Sequence, residues 1–402
     1  MDFKGFYNKS LEERKQILSK ILDKSTLNLL TSCEDMKKLD LMIENVIGRI
    51  TLPLGILTNF KLNGKQYMVP MAIEEPSVVA AANKASKLTL PEGFFGEASD
   101  PIMIGTVYVK ANKLEEKLLN DIDKIGYTSA SGLEKYGGGW RGFDVYNLHT
   151  NRGDFTVIEF YVDCRDAMGA NTINTIAERI GVYLIENGMD VRLRILTNNA
   201  VKRTVTVKGI WKKEVIGKDS VEKILDAYSL ALFDKNRLVT NNKGVMNGID
   251  AVALATGQDW RAIEAGIHNY MYEKPLVVYH KNENEDLVGT IHVPLAVATV
   301  GGATNTLSHA KASLKLLGVK NSMELAMIMA GVGLANNFAA IYALVNEGIQ
   351  KGHMKLHSKN IAILAGARDE EEIIKLSDIM IKENNYSLDF AKQKLKELRD
   401  EL

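Results

Sequence analysis

Ile102-Met103-Ile104-Gly105-Thr106-Val107-Tyr108-Val109-Lys110 is the stretch on which the fold turns. Its residues alternate as in a strand, sending successive side chains to opposite faces. Helical periodicity follows over 113–124, then a loop carrying Gly137-Gly138-Gly139. Strand-like runs at 141–149 and 154–163 are joined by Asn151-Arg152-Gly153, and a helix near 171–187 precedes a strand at 190–196. The order β-α-β-β-α-β is that of a ferredoxin-like split unit, of a size that can stand as a self-contained insertion. No G-x-G-x-x-G follows a strand within it, which sets it apart from the βαβ dinucleotide fold.

Toward the N-terminus, residues 10–24 and about 35–47 read as helices, and Asn63-Gly64 between two apolar runs signals a two-residue hairpin. Toward the C-terminus, a strand near 201–212 leads into helices at 219–233, 249–256 and 259–271. A hairpin over 276–292 turns at Asn282-Glu283-Asn284-Glu285, and helices at 306–317 and 322–347 come after Val300-Gly301-Gly302-Ala303-Thr304. The last segment reads as short charged helices able to dock loosely. The expected class is therefore α+β. A large, mostly helical domain (1–100 and 198–349) carries a ferredoxin-like insertion (101–197) and a small helical C-terminal flap (350–402).

Composition narrows the function classes. The 402 residues suffice for two or three domains, and 50 basic against 50 acidic side chains leave no formal charge. Such a balance offers no global attraction to nucleic acid or to an anionic membrane. Cys33 and Cys164 are the only cysteines, so a disulfide framework and a cysteine zinc site are both excluded and a cytoplasmic location is expected. The start, Met1-Asp2-Phe3-Lys4-Gly5, lacks a secretory pattern. Leu325 to Val345 is apolar enough to span a bilayer. Asn336 and Asn337 interrupt its middle, however, so it reads as the buried helix of a soluble domain.

Several segments can carry chemistry. In Ile73-Glu74-Glu75-Pro76-Ser77-Val78, Pro76 suits a first helical position, Ser77 a cap, and Glu75 is held extended before the proline. A carboxylate favouring a helix N-terminus explains Glu75 equally well. Asn241-Asn242-Lys243-Gly244-Val245-Met246-Asn247-Gly248 sits before the helix at 249–256. A lysine in such a polar pocket can stabilise an oxyanion, although the run also reads as an ordinary turn. Asp259 is placed to cap a helix, or to orient Lys243 electrostatically. His353 and His357 stand one helical turn apart without a third ligand, so no metal is expected, and a histidine on a mobile tail suits proton delivery. Asp166-Ala167-Met168-Gly169-Ala170-Asn171 can present free N–H groups to a phosphate, or serve as a plain strand-to-helix connection.

Taken together and in this order, these motifs resemble the 3-hydroxy-3-methylglutaryl-CoA (HMG-CoA) reductase family, in its class II bacterial and archaeal form. The resemblance rests on ENVIG (44–48), EEPSVVAAA (74–82), DAMGAN (166–171), NKGVMNGID (242–250), ATGQDWRAIEAG (255–266), VGGAT (300–304) and GIQKGHMKLH (348–357). It implies reduction of HMG-CoA to mevalonate and free CoA by two hydride transfers. By this resemblance Lys243 polarises the thioester carbonyl, Glu75 is the general acid/base, Asp259 links the two, and His353 protonates the CoA thiolate. Ser77, Arg237, Asn247 and Asn337 are implied to contact the hydroxymethylglutaryl group.

The resemblance also puts Asp166, Met168, Gly169, Ala170 and Asn171, with Tyr127 and Ser129, at the nicotinamide cofactor. Segment 127–136 has no aspartate to repel a ribose phosphate and looks closer to NADPH-using relatives, so NADPH is expected, with NADH possible. ENVIG implies a homodimer. Asn241 stands where the bacterial family often has histidine, and Asn336 where it has glutamine. Two rival activities differ in what they require. Oxidation of mevalonate with NAD⁺ differs in cofactor preference, and a CoA-thioester acyltransferase needs an activated Cys or Ser. An RNA-binding module is disfavoured by neutral charge and the lack of an aromatic strand signature.

Overall fold

Three short helices, α1 (Leu11–Leu18), α2 (Lys24–Thr31) and α3 (Met36–Asp40), precede the first sheet in a computed structural model. It describes residues 5–31, 34–346 and 349–400, with side chains at all of these except 7, 31 and 349–356. Ser10 and Glu13 form a reciprocal capping box that starts α1. The helix expected to 47 ends at Asp40, and Asn45 then turns with φ 57°. Leu41, Ile43 and Ile47 are exposed, so no buried face sustains further helix there.

Strands β1 (Leu54–Leu62) and β2 (Lys65–Ala72) form the anticipated hairpin, with Asn63 and Gly64 both at positive φ as a type I′ turn requires. Helix α4 (Val78–Lys87) and strand β3 (Phe94–Ala98) follow. The next unit contains β4 (Ile102–Val109), α5 (Glu116–Ala130), β5 (Gly139–Thr150), β6 (Gly153–Asp163), α6 (Ala170–Glu186) and β7 (Val191–Leu196). Its sheet runs β5-β6-β4-β7, antiparallel throughout, which is the ferredoxin-like strand order. Both helices cover one face and enclose a separate core that includes Trp140, Phe160 and Ile173.

The chain then returns through β8 (Thr204–Trp211), α7 (Lys213–Ile216), α8 (Lys218–Phe233), α9 (Lys235–Ala255), α10 (Trp260–Tyr270), β9 (Val277–Lys281) and β10 (Leu287–Pro294). These strands complete a six-stranded sheet, β2-β1-β3-β8-β10-β9. Helices of the large unit, which hold more of its residues than the strands do, pack around this sheet. Helices α11 (Gly302–Thr306), α12 (Ser308–Leu317) and α13 (Ser322–Asn346) follow, and α14 (Ile349–Leu364), α15 (Glu370–Lys382) and α16 (Leu388–Asp400) close around a small core of their own.

Helix α13 is the apolar stretch that by length could cross a membrane, and most of it is buried inside the protein. Its Phe338 stacks on Trp211 with ring centroids 3.9 Å apart. Helix α9 crosses it closely. A Cβ on Gly248 would lie 2.6 Å from the Val332 carbonyl oxygen, so only glycine permits this approach. That contact corrects the reading of 241–248 as a segment ahead of a helix. Gly248 is a packing position inside a 21-residue helix, and neither it nor Gly244 breaks the helix, because burial of α9 against α13 outweighs their weak helix propensity.

Candidate active site

Lys243 projects from the outer face of α9, and its Nζ lies 2.6 Å from Glu75 Oε2. The pair is reachable from solvent, with side chains 58% and 34% exposed. Glu75 is carried on the turn between β2 and α4. Helix α4 starts at Val78, two residues later than expected, and Ser77 occupies the left-handed region at φ 74° without capping the helix with its side chain. Both points correct the capping expectation. A non-glycine residue in that region carries backbone strain, which places Ser77 beside Glu75 in an unusual geometry.

Asn247 lies one turn beyond Lys243 on α9 and is half-buried on the same side, as i,i+4 spacing requires. Arg237, also half-buried, stands near the start of α9, and burial pushes its guanidinium below the usual range. Asn337 is different. It is 1% exposed, its Nδ2 donates to the Asn241 carbonyl at 2.9 Å, and its Oδ1 accepts from the Tyr279 hydroxyl at 2.9 Å. The amide thus locks α13 to α9 and β9. The Asn241 side chain joins the same lock, with its Oδ1 3.2 Å from Asn337 Nδ2.

Asp259 caps α10 by accepting from Ala262 N at 3.2 Å, and pairs with Arg261 at 3.1 Å. Within one chain it does not meet Lys243. The twelve residue steps from Lys243 to Ala255 at the end of α9 alone rise about 18 Å. Asp259 instead lines a cavity of about 1160 Å³ together with Met168, Gly169, Ala170, Trp260 and Arg261. Trp260 and Arg261, given no role from sequence, thus face the same space as the DAMGAN loop. His309 lines it too, and burial holds its imidazole below the usual value.

The loop itself joins β6 to α6. Gly169 has φ 96°, and a Cβ there would lie 2.4 Å from Cys164 Sγ. Asp166 is turned into the protein, its Oδ1 accepting from Ser322 N at 2.8 Å and its carbonyl from Thr299 N at 2.9 Å. Ala170 and Asn171 open the first turn of α6, whose N–H groups lack intrahelical partners. Tyr127 and Ser129 are not gathered here. Tyr127 is exposed on α5, and Ser129 accepts from Arg179 at 3.1 Å in a separate groove between α5 and α6. They therefore lie apart from the loop's cavity; residues 127–130 continue α5 beyond the helix expected over 113–124.

Cys164 is buried, and burial pushes its thiol up to about 12, far from a usable nucleophile. Cys33 lies outside the described residues. His353 falls within α14, but its side chain lies outside the described residues, as does that of the Gly352–Leu356 stretch around it.

Fold and motifs together define an α+β oxidoreductase acting on an acyl-CoA. Residues 10–358 match the family described as hydroxymethylglutaryl-coenzyme A reductase. The chain belongs to this family. A 3-hydroxy-3-methylglutaryl-coenzyme A reductase of Archaeoglobus fulgidus is 42% identical, covering 98% of this chain and 94% of that protein. A probable reductase of Borreliella burgdorferi is 36% identical over 98% of this chain and 95% of its own length. Among solved structures, a Streptococcus pneumoniae reductase superposes with a TM-score of 0.81 at 35% identity, covering 99% of this chain and all of that one. A class II S. pneumoniae structure bound to NADPH in open conformations gives 0.78 at 36% identity, covering 97% of this chain and 100% of that chain.

Proposed function

We propose that this HMG-CoA reductase works in the biosynthetic direction, taking HMG-CoA to mevalonate and CoA with two equivalents of NADPH in the cytoplasm. The observation that carries the site assignment is the Lys243–Glu75 pair on an accessible helix face. The Lys243 ammonium keeps further N–H donors for the thioester oxygen and stabilises the oxyanion that forms there. Glu75, in contact with that ammonium, exchanges the proton at the same oxygen. Arg237 suits the free carboxylate of the substrate, and Ser77 and Asn247 its hydroxyl-bearing carbon. When the C–S bond breaks, the CoA sulfur leaves as a thiolate, and His353 on α14 supplies its proton.

Residues 101–197 would form the cofactor domain, set between the two parts of the large domain, with 350–402 acting as the flap. The cavity beside the DAMGAN loop fits the cofactor. Gly169 permits a close backbone approach, and the N-terminus of α6 offers N–H groups to a pyrophosphate. Bound there, the dihydronicotinamide supplies hydride. The NADPH preference rests on the absence of an aspartate from 127–136 and on the NADPH-bound relative.

Asp259 reaches a Lys243 only across a homodimer, in which one subunit offers Lys243 and Glu75 and its partner offers Asp259. Exposed Leu41, Ile43, Ile47 and Ile50 in and around ENVIG supply the apolar surface for that pairing. The deciding assay follows loss of dihydronicotinamide absorbance with HMG-CoA. Turnover with NADPH, at a higher kcat/KM than with NADH, is expected. Activity confined to mevalonate, CoA and NAD⁺ would overturn the direction, and no turnover either way would overturn the site.

A further inference from the structure

Arg203, immediately before β8, is 4% exposed, yet forms no ion pair among the described residues. Its Nη1 donates to the Ala167 carbonyl at 3.0 Å and the Met168 carbonyl at 3.5 Å. Its Nη2 donates to the carbonyls of Arg165 at 3.3 Å and Val297 at 2.6 Å, and to Ser322 Oγ at 3.0 Å. Ser322 Oγ in turn donates to the Arg165 carbonyl at 2.9 Å. One guanidinium therefore gathers three carbonyls of the loop 165–168, one of the segment after β10, and the first turn of α13.

We propose that Arg203 is a positioning residue for the nicotinamide cofactor, fixing the DAMGAN loop with its amides facing the cavity. The inference rests on reading that loop as the cofactor site. In a trans peptide the carbonyl and the following N–H point in opposite directions. Drawing the Ala167 and Met168 carbonyls toward Arg203 therefore turns the N–H groups of Met168 and Gly169 away from it. Those two N–H groups donate to no acceptor among the described residues, and both residues line the cavity. They add to the free N–H groups at the start of α6, making a continuous donor set for an anion. Through Val297 and Ser322 the same side chain ties this set to the wall formed by Ala298 and Val300 to Thr304. A planar fork serves five acceptors at once; lysine carries the charge without that geometry.

The test compares Arg203→Lys and Ser322→Ala with the parent enzyme, measuring NADPH affinity by fluorescence, HMG-CoA affinity by calorimetry, and melting. Ser322→Ala keeps the arginine and removes one acceptor, so it decides the matter if Arg203→Lys does not fold. The expected result is NADPH affinity weakened about 10–100-fold in Arg203→Lys and by a smaller factor in Ser322→Ala, with HMG-CoA affinity unchanged. Unchanged NADPH affinity in the folded variants, or equal loss for both ligands, would overturn the inference. Ala170→Asp, which sets a carboxylate at the start of α6, separates the two readings. If it leaves NADPH binding intact, the cofactor-loop assignment itself fails. If it abolishes binding while the Arg203 and Ser322 variants bind normally, only the positioning role fails.

Discussion

Lys243 and Glu75, 168 residues apart in the chain, meet at 2.6 Å across the junction of α9 and the β2–α4 turn. The contact is accessible to solvent, and exposed ion pairs of this kind contribute only about 0–1 kcal/mol to stability. It is therefore better explained by chemistry than by folding. Lys243→Ala should lower kcat by about 10²–10⁴-fold while leaving the melting temperature nearly unchanged. Steady-state kinetics beside thermal unfolding checks this, and a large loss of stability with activity retained would contradict it.

Asn337 makes the opposite prediction. Replacing it with alanine removes the partner of the buried Tyr279 hydroxyl and of the Asn241 side-chain oxygen. Urea unfolding should show a loss of about 2–4 kcal/mol. The KM for HMG-CoA should change little in protein that remains folded; a selective rise in KM would restore Asn337 to the substrate.

Gly248→Ala is expected to destabilise by about 1–3 kcal/mol, since the added Cβ meets the Val332 carbonyl at 2.6 Å. Backbone against backbone leaves no flexible atom to move aside. A neutral or stabilising effect in denaturant titration would show that the helices separate more easily than this packing implies.

Asp250, Glu264 and His268 set a pH dependence. Burial and the neighbouring Glu264 raise the Asp250 carboxyl to about 8, whereas Glu264 is held low by His268, 2.7 Å away. Asp250 is thus the member that keeps the proton. Its folded pKa exceeds its unfolded value, so the folded state binds more protons between about pH 4 and pH 8. Stability from this group is full below pH 4 and falls as pH rises to 8, by at most about 1.4 kcal/mol per pH unit. His268, raised by Glu264, adds in the same direction above its ordinary value, and depressed Glu264 opposes only at acid pH. Asp250→Asn should flatten the decline, with a stability gain over the parent that is larger at pH 8 than at pH 5. Parallel unfolding curves at the two pH values would refute this.

Ile47 and Ile50, 101% and 95% exposed, present apolar surface that a lone chain leaves in water. On the proposed homodimer, Ile47→Asp with Ile50→Asp should yield a folded monomer by sedimentation and abolish turnover, since each site would lose the partner's Asp259. A dimer that persists with full activity would place the interface elsewhere.

How much of this was legible beforehand follows from range. Period-two alternation, the Asn63-Gly64 turn and the split β-α-β-β-α-β order are local signals, and the strands and second helix of 102–196 lie within two residues of the sequence reading, whereas α5 runs six residues beyond the expected Lys124. The motif order likewise identifies the family from the sequence alone. Three features were not accessible. Asn241 to Gly248 reads as a turn because the packing that favours helix there, Gly248 against Val332, comes from α13 far along the chain. For Asn337, implied by the resemblance to contact substrate, nothing in the sequence shows that Asn241 and Tyr279 engage its amide. Arg203 carried no motif at all, and its five acceptors come from three separate segments.

By itself, then, the amino-acid sequence determined the local elements, the fold class and the family, because these depend on neighbours within a turn or a hairpin and on motif order. Only the tertiary structure decided which polar side chains are spent inside the protein and which face a cavity. Burial and hydrogen-bond satisfaction are properties of the assembled chain: a polar group kept from water must take its partner from whichever segment packs against it.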